Sequence, residues 1–346
     1  MLIVTIDAGT TNTRVRVWKD SRVISDTSES VGVRDTAITG NRNKLINGVK
    51  KALDRALAGI SEPYEIVASG MITSDVGLYC VPHLSVPVSF NDLVEGTVAH
   101  TIPEVSTQPI WFIPGVKNAV ATVDVENIDA MDVMRGEEVE TFGLLMQHNV
   151  KGPALIVLPG SHSKFILTDE KKQIVSCVTT MAGELLDVLT HQTILANSLD
   201  GQFVTKLDND YLQKGAASCR RVGLARSCFT VRLLDLFTQS THNQRASYLL
   251  GATLYSDLQA IKQSMALNLS PETNIIISGK QVLKEALASL ISTDSFFTGS
   301  IVQADDDPQR PLSGVGALAL METILCRTPL ASRHFPVSYI REFQHE

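Results

Sequence analysis

The most constraining feature of the sequence is a pattern that occurs twice: an apolar strand, a short polar turn and a second strand. The first copy begins with the β-branched run Leu2 to Ile6 and continues through DAGTTN at residues 7–12. The second begins with Ala154 to Leu158 and continues through GSHSK at residues 160–164. The copies lie roughly 150 residues apart, which is too long for a solenoid repeat and indicates two related domains that face each other.

The rest of the chain predicts an α/β protein around these two hairpins. A third extended segment follows each copy, at residues 22–31 and 173–179, so each domain should begin with an antiparallel meander. The break Lys151-Gly152-Pro153 divides the chain into predicted domains 1–150 and 151–346, and the last helix is free to return to the first domain. Apolar periodicity predicts helices at residues 43–60, 136–149, 183–195, 246–266, 281–291 and 314–325, and further strands at 64–68, 110–113, 274–278 and 300–304.

Composition restricts the classes of function. With 44% hydrophobic residues in 346 positions, the chain can bury a large core. The net charge is -7 and no basic block is present, so we expect no nucleic-acid partner. The sequence has neither a signal peptide nor an apolar run approaching about 18 residues, which predicts a cytoplasmic protein without a membrane partner. The five cysteines and eight histidines form no metal-ligand pattern.

The two polar turns have the composition of phosphate-binding loops. Glycine lets a ligand approach the backbone closely, and main-chain N–H groups in a concave turn bind anions. Two facing turns would hold the phosphates of a nucleotide, with Asp7 beside a Mg²⁺ ion. Each turn alone also fits an ordinary hairpin, and Arg14 and Lys164 are either charge partners or exposed strand-end residues. The predicted phosphate-binding residues are Gly9, Thr10, Thr11, Asn12, Arg14, Gly160, Ser161, His162, Ser163 and Lys164.

Two other glycine motifs are weaker candidates for a nucleotide site. Gly279-Lys280 lacks the flanking residues of a P-loop. Gly314-x-Gly316 matches part of a dinucleotide fingerprint, but Arg310-Pro311 precedes it where a strand is required. We interpret this second motif as helix packing by small residues.

The segment MRGEE, residues 134–138, offers a candidate catalytic base. Phosphoryl transfer to an alcohol requires a carboxylate that accepts the hydroxyl proton, and Glu137 and Glu138 lie at the predicted start of a helix. The helix dipole favours ionised carboxylates there, although acidic residues are common in first helical turns in any case. Adjacent helical residues point ~100° apart, so only one of the two faces a substrate. Arg135 either meets an acidic substrate or holds the carboxylate in place.

These segments together resemble the 2-dehydro-3-deoxygalactonokinase family, within the superfamily of sugar kinases, heat-shock ATPases and actin. The resemblance extends along most of the chain. MRGEE and PGSHSK are specific to the family, whereas the first polar turn is typical of the whole superfamily. The segments that carry it are DAGTTNTR (7–14), GMITSDVG (70–77), IWFIPG (110–115), MRGEE (134–138), LPGSHSK (158–164) and AGEL (182–185).

The resemblance implies a fold and a reaction. The fold is two ribonuclease-H-like, actin-like ATPase domains of the α/β class that face each other across a nucleotide cleft. The reaction is the phosphorylation of the terminal hydroxyl of 2-dehydro-3-deoxy-D-galactonate in galactonate catabolism, with ATP and Mg²⁺. Glu137 is then the base, Ser278 and Gly279 hold the adenosine in the second domain, and the sugar acid lies in the first. The implied substrate-binding residues are Asp75, His83, Arg135 and Glu138.

The chain departs from the family pattern at three positions, and this leaves alternatives open. Ala8 and Leu78 replace Trp, and His83 replaces Tyr. Since an apolar pocket discriminates by only about 1–3 kcal/mol per group, a related sugar acid stays an alternative substrate. A phosphate-releasing hydrolase and a non-catalytic sensor of the same superfamily also stay open, although a sensor would need neither Asp7 nor Glu137. The sequence does not determine the oligomeric state, and a homodimer is one of the assemblies it allows.

Overall fold

The computed structural model describes residues 1–148, 150, 152–305, 307 and 309–327. Its strands are β1 (Leu2–Ala8), β2 (Thr13–Lys19), β3 (Arg22–Glu29), β4 (Tyr64–Gly70), β5 (Leu84–Ser85), β6 (Val98–His100), β7 (Ile110–Phe112), β8 (Val116–Lys117), β9 (Val133–Met134), β10 (Ala154–Leu158), β11 (Ser163–Thr168), β12 (Ile174–Thr180), β13 (Asn274–Ile277) and β14 (Ile301–Gln303). Its helices are α1 (Arg34–Thr39), α2 (Asn43–Ala56), α3 (Phe90–Gly96), α4 (Glu137–Gln147), α5 (Ala182–His191), α6 (Asn209–Val222), α7 (Leu224–Phe237), α8 (His242–Lys262), α9 (Gln281–Thr293) and α10 (Leu312–Arg327).

The first large sheet contains the first polar turn. Its strand order is β3-β2-β1-β4-β7-β6, with β1, β2 and β3 antiparallel and β1, β4 and β7 parallel. Alternating side chains of β1 enter two different cores: Ile3 packs with residues between the two large sheets, while Val4 and Ile6 pack against α2. Burial on both faces explains why this strand reads as a continuous apolar run.

The second large sheet repeats this arrangement. Its order is β12-β11-β10-β13-β14, with β10, β11 and β12 antiparallel and β10, β13 and β14 parallel. In each sheet the polar turn joins the first two strands of the meander, and a parallel strand lies on the other side of the first strand. The repeat predicted from the sequence is therefore a repeat of sheet topology. The division at residue 150 stays a prediction, and Asn149, Lys151 and the chain from 328 lie outside the described residues.

A third sheet of three short strands was not predicted. Its order is β5-β8-β9, with Leu84 beside Val116 and Val116 beside Met134. Met134 and Val116 belong to the core between the large sheets, and Leu84 packs against it. The small sheet therefore places the chain before α4 close to both halves of the molecule.

The last described helix, α10, packs on α4 and β1, although it follows the second sheet in sequence. A Cβ on Gly314 would lie 2.3 Å from the ring of Trp18, and one on Gly316 would lie 2.1 Å from the main-chain oxygen of Val139. The interpretation of these two glycines as helix-packing residues is confirmed. Within the part of the chain that the structure describes, no helix combines the length and apolar composition needed to cross a membrane.

Candidate active site

The first polar turn is exposed at the end of the β1–β2 hairpin. The Gly9 N–H donates to the Asn12 oxygen at 2.9 Å, and Asp7 lies opposite Arg14 in the strand register. Thr10, Thr11, Asn12 and Arg14 are all exposed. The hydroxyls and amides that the sequence singled out are therefore available to a ligand.

The second polar turn is shorter than the predicted one. Ser161 and His162 are exposed, whereas Ser163 and Lys164 are buried residues of β11. The His162 Nε2 lies 2.9 Å from a carboxylate oxygen of Glu184 at the start of α5. The Lys164 ammonium points to the opposite face of the sheet from Ser163, where it donates to the Val133 oxygen at 2.6 Å.

Each polar turn is held by a second glycine located the same 23 positions after the first, Gly32 after Gly9 and Gly183 after Gly160. A Cβ on Gly32 would lie 2.4 Å from the Gly9 oxygen, and one on Gly183 would lie 2.0 Å from the Gly160 oxygen. Both contacts are too close for any side chain. The duplication thus includes the glycine that supports each turn, and the common spacing of 23 residues is the sequence signal for it.

Gly9 and Gly160 themselves have room for a side chain, with only ordinary van der Waals contacts. A Cβ would come no closer than 3.9 Å to another atom at Gly9 and 3.5 Å at Gly160, and neither residue has a left-handed backbone. The fold alone therefore does not require glycine at these two positions. A ligand that approaches the backbone closely would require it.

A cavity of about 340 Å³ brings residues of both large sheets together. Asp7 and Arg14 come from the first sheet, and Ser278 and Gly279 follow β13 of the second. Glu140 also lines this cavity, although it is not among the site residues predicted from the sequence. It lies one helical turn after Glu137, so helical spacing from the predicted base was the available signal.

The carboxyl groups of Asp7 and Glu140, which line this cavity, and of Glu137, one turn before Glu140 on α4, influence one another. Burial raises the pKa of Asp7, opposed mainly by the charge of Arg16. Burial and the charges of Asp7 and Glu137 raise the pKa of Glu140 to about 8. In the described residues no group of three or more His, Cys, Asp or Glu side chains is arranged to hold a metal ion. A metal ion bound in this cavity would thus have one or two carboxylates of the protein as ligands.

Glu137 and Glu138 both fold back onto the backbone at the start of α4. A Glu137 carboxylate oxygen accepts from the Arg135 N–H at 3.1 Å, and the Glu138 carboxylate accepts from the Gly136 N–H at 2.8 and 2.9 Å. Glu138 is buried, and burial together with the charge of Glu137 raises its pKa to about 8. Burial also raises the pKa of Glu137, while the charge of Lys164 opposes this.

Gly136 brings the start of α4 against the end of β4. Its φ of 111° is in the region that favours glycine, and a Cβ there would lie 3.2 Å from the Cα of Gly70. A Cβ on Gly70 would in turn lie 3.3 Å from a carboxylate oxygen of Asp7. These contacts place Glu137 in the neighbourhood of Asp7, in agreement with the effect of Asp7 on the pKa of Glu137.

Arg135 anchors the loop that follows β4. Its guanidinium donates to the Thr73 hydroxyl at 2.9 Å and to the Val81 oxygen at 2.7 Å, and it lies 3.4 Å from the Nδ1 of His83. Burial, followed by the charges of Arg135, Lys117 and Lys164, lowers the pKa of His83 to about 4. His83 is therefore neutral near pH 7, and the positive charge at this place comes from Arg135.

The other substrate-site candidates have different surroundings. Asp75 is exposed, and its carboxylate accepts from the Val76 N–H at 3.0 Å, which is a local turn contact. Ala8 and Leu78 are buried in the core beside α2. Of the three positions that depart from the family pattern, His83 is the one in contact with Arg135.

Comparison with known proteins adds independent findings. A sequence model described as 2-keto-3-deoxy-galactonokinase matches residues 7–305. The chain is 29% identical over 253 residues to the 2-dehydro-3-deoxygalactonokinase of Escherichia coli strain K12, which covers 72% of each protein. A crystal structure from Sinorhizobium meliloti that bears the same enzyme name superposes with a TM-score of 0.72 at 21% identity, covering 93% of this chain and 99% of that one. The fold predicted from the two polar turns is confirmed.

Proposed function

This chain belongs to the 2-keto-3-deoxy-galactonokinase family and is a carbohydrate kinase, and from that premise we propose that it transfers the γ-phosphoryl group of ATP to the terminal hydroxyl of 2-dehydro-3-deoxy-D-galactonate. The supporting observation is the cavity that Asp7 and Arg14 of one sheet share with Ser278 and Gly279 of the other. The proposal includes a place in galactonate catabolism, and a cytoplasmic location because ATP is the donor. A homodimer stays a prediction.

The phosphates lie between the two polar turns in this proposal. The Thr10, Thr11 and Ser161 hydroxyls and the turn N–H groups hold them, and the absence of a side chain at Gly9 and Gly160 lets them approach the backbone. Asp7 and Glu140 fit Mg²⁺, because their carboxylates are hard oxygen donors that share one cavity and lack full charge compensation. Bound Mg²⁺ would neutralise charge on the phosphate oxygens.

Glu137 is the base of the proposed reaction. Its carboxylate accepts the proton of the terminal hydroxyl while that oxygen bonds to the γ-phosphorus and the bond to the ADP oxygen breaks. Burial raises the pKa of the Glu137 carboxyl. A general base is most effective when its pKa lies near the working pH, so this shift favours Glu137 as the base at neutral pH. Glu138 is buried with both oxygens on the Gly136 N–H, so its role is to fix the start of α4 next to the sugar site.

The sugar acid lies beside Arg135 and His83. The nearest Arg135 group can only donate, so the Nδ1 of neutral His83 accepts and its Nε2–H is left to donate to a substrate oxygen. Arg135 supplies positive charge for the carboxylate end, and Asp75 lies on the exposed loop over this place. An acidic substrate thus matches the charge of the site better than a neutral sugar does.

A panel of sugar acids in a coupled ADP-release assay tests the proposal. We expect ADP release that depends on a 2-keto-3-deoxy sugar acid, greatest with 2-dehydro-3-deoxy-D-galactonate, and one phosphorylated acid formed per ADP. Phosphate release at a similar rate without any sugar acid would contradict the proposal and favour a hydrolase. ATP binding without turnover for any acid would favour a sensor.

A further inference from the structure

The small β5-β8-β9 sheet has one face in the core and one face directed away from it. Leu84, Val116 and Met134 lie side by side in the register and pack in the core. Because successive side chains of a strand alternate, Ser85, Lys117 and Val133 share the opposite face. Val133 is exposed and Lys117 is half-buried, in agreement with this assignment.

The predicted substrate residues His83 and Arg135 lie on the same face, beside Gly115, which is two residues before Lys117. The Leu84 N–H donates to the Gly115 oxygen at 2.9 Å, which aligns His83 with Gly115. A Cβ on Gly115 would lie 2.5 Å from the Cγ of Arg135 and 2.8 Å from the Cδ2 of His83. His83 and Arg135 therefore cover Gly115, and Lys117 is the next side chain along β8 on that face.

Lys117 is the cation of this face whose donors are free. Arg135 donates to Thr73 and Val81, and Lys164 donates to Val133 and to the Thr179 hydroxyl at 2.5 Å. Among the described residues, the Lys117 ammonium has neither a hydrogen bond nor an ion pair. A half-buried ammonium without a carboxylate partner is suited to an anionic ligand.

The electrostatics agree with this geometry. Arg135, Lys117 and Lys164 each contribute to lowering the pKa of His83, after the larger effect of burial. The three cations are therefore close enough to His83 for their charges to act on it. Lys164 also has Asp132 at 3.9 Å, so Arg135 and Lys117 are the cations without a carboxylate ion pair in the described structure. Grouped cations attract an anion and raise its local concentration.

We propose that Lys117 binds the carboxylate of the sugar acid and determines the preference of this enzyme for acids over neutral sugars. The inference rests on the proposed function, which places the terminal hydroxyl of the substrate at Glu137. Lys117 is one strand repeat, about 7 Å, beyond Arg135 and further from the start of α4. The carboxylate and the reacting hydroxyl are at opposite ends of the substrate, and Lys117 pairs in the register with Val133, four residues before Glu137 in the chain.

Substitution of Lys117 tests the inference. We expect Lys117→Met to raise the KM for the sugar acid at least tenfold while kcat and the KM for ATP stay unchanged. The preference for the acid over the neutral sugar that lacks the carboxylate should fall by the same factor. Lys117→Arg, which keeps the charge, should restore most of the preference. Lys50→Met is a matched control, because Lys50 is an exposed lysine of α2 that pairs with Asp54.

Calorimetric titration with the sugar acid separates this inference from the proposed function, since it needs no turnover. Weaker binding by Lys117→Met than by wild type, with unchanged melting temperatures, supports the role of Lys117 even where no ADP is released. Equal binding by the two proteins, or no binding of any acid by wild type, overturns it. Acid binding that depends on Lys117 without phosphorylation would contradict the proposed kinase reaction alone.

Discussion

The ammonium group of Lys164 lies 2.6 Å from the main-chain oxygen of Val133. Lys164 is the second residue of β11, at the base of the second polar turn, and Val133 belongs to the strand that leads directly to Arg135 and Glu137. The same ammonium bonds the Thr179 hydroxyl and lies 3.9 Å from Asp132. One buried lysine thus joins the second sheet to the segment that carries the proposed base.

Replacement of Lys164 by Met should destabilise the protein. The Val133 oxygen and the Thr179 hydroxyl would lose a charged partner in a partly buried place. We therefore expect the free energy of unfolding to fall by about 1–3 kcal/mol, with a lower kcat as the start of α4 shifts. Urea denaturation measures the first effect, with Lys171→Met as an exposed control. An unchanged stability with a higher KM for ATP would instead make Lys164 a direct phosphate ligand.

Replacement of Glu137 by Gln should abolish most of the turnover. The amide keeps the size of the side chain but does not accept the hydroxyl proton, so kcat should fall ~10²-fold or more. ATP affinity should change little, because the phosphates are held by the polar turns. Glu126→Gln, in an exposed loop, is the control. Turnover close to wild type would remove Glu137 from the mechanism.

The paired glycines should respond differently to alanine. Gly160→Ala meets only ordinary contacts at 3.5 Å, so its stability should match wild type, while its KM for ATP rises about tenfold or more because the methyl group occupies the phosphate approach. Gly183→Ala would place a methyl 2.0 Å from the Gly160 oxygen, and it should lower the melting temperature. Normal ATP kinetics in Gly160→Ala would refute a phosphate at this turn.

Asp257 should make the protein less stable as the pH rises. This residue of α8 is buried, and its Oδ2 has no hydrogen-bond partner in the described structure. Burial raises its pKa from an ordinary 3.8 to about 7, against the opposing effect of the Thr180 hydroxyl. Since the unfolded chain loses this proton at lower pH than the folded protein, the stabilisation is lost between pH 3.8 and about 7.

Asp257→Asn removes this dependence and measures it. Above pH 7 the variant should be more stable than wild type by about 1–3 kcal/mol, because no buried charge forms. Near pH 5 the two proteins should differ less. Urea denaturation at both pH values checks this. The contributions of other buried acids such as Glu138 cancel because both proteins contain them. An equal difference at the two pH values would show that Asp257 does not titrate in this range.

The parts of the fold that local patterns determine were predictable. The two hairpins combine β-branched runs with turns rich in small polar residues, and the strands β1, β10 and β13 were found close to their observed bounds. Four predicted site residues line the cavity and come from such patterns, namely Asp7 and Arg14 of the first hairpin and Ser278 and Gly279 after β13, whereas residues 9–12 and 160–163 of the polar turns do not line it. Their roles in binding stay predictions.

The parts of the fold and of the candidate site that were not predicted depend on the register between strands that are far apart in the sequence. The strands β5, β8 and β9 have two residues each, too few to show a period, so the face that carries Lys117 was invisible in the sequence. Lys164 was predicted as part of the second polar turn, whereas β11 begins at Ser163 and includes Lys164. Strand alternation from Ser163 would have put Ser163 and Lys164 on opposite faces.

A crystal structure with Mg²⁺ and a non-hydrolysable ATP analogue tests the central claim most directly. We expect the phosphates between the turn at Gly9 and the turn at Gly160, the adenosine near Gly279, and the γ-phosphate directed toward Glu137. A nucleotide bound away from both turns, or a γ-phosphate separated from Glu137 by the bulk of either sheet, would contradict the account.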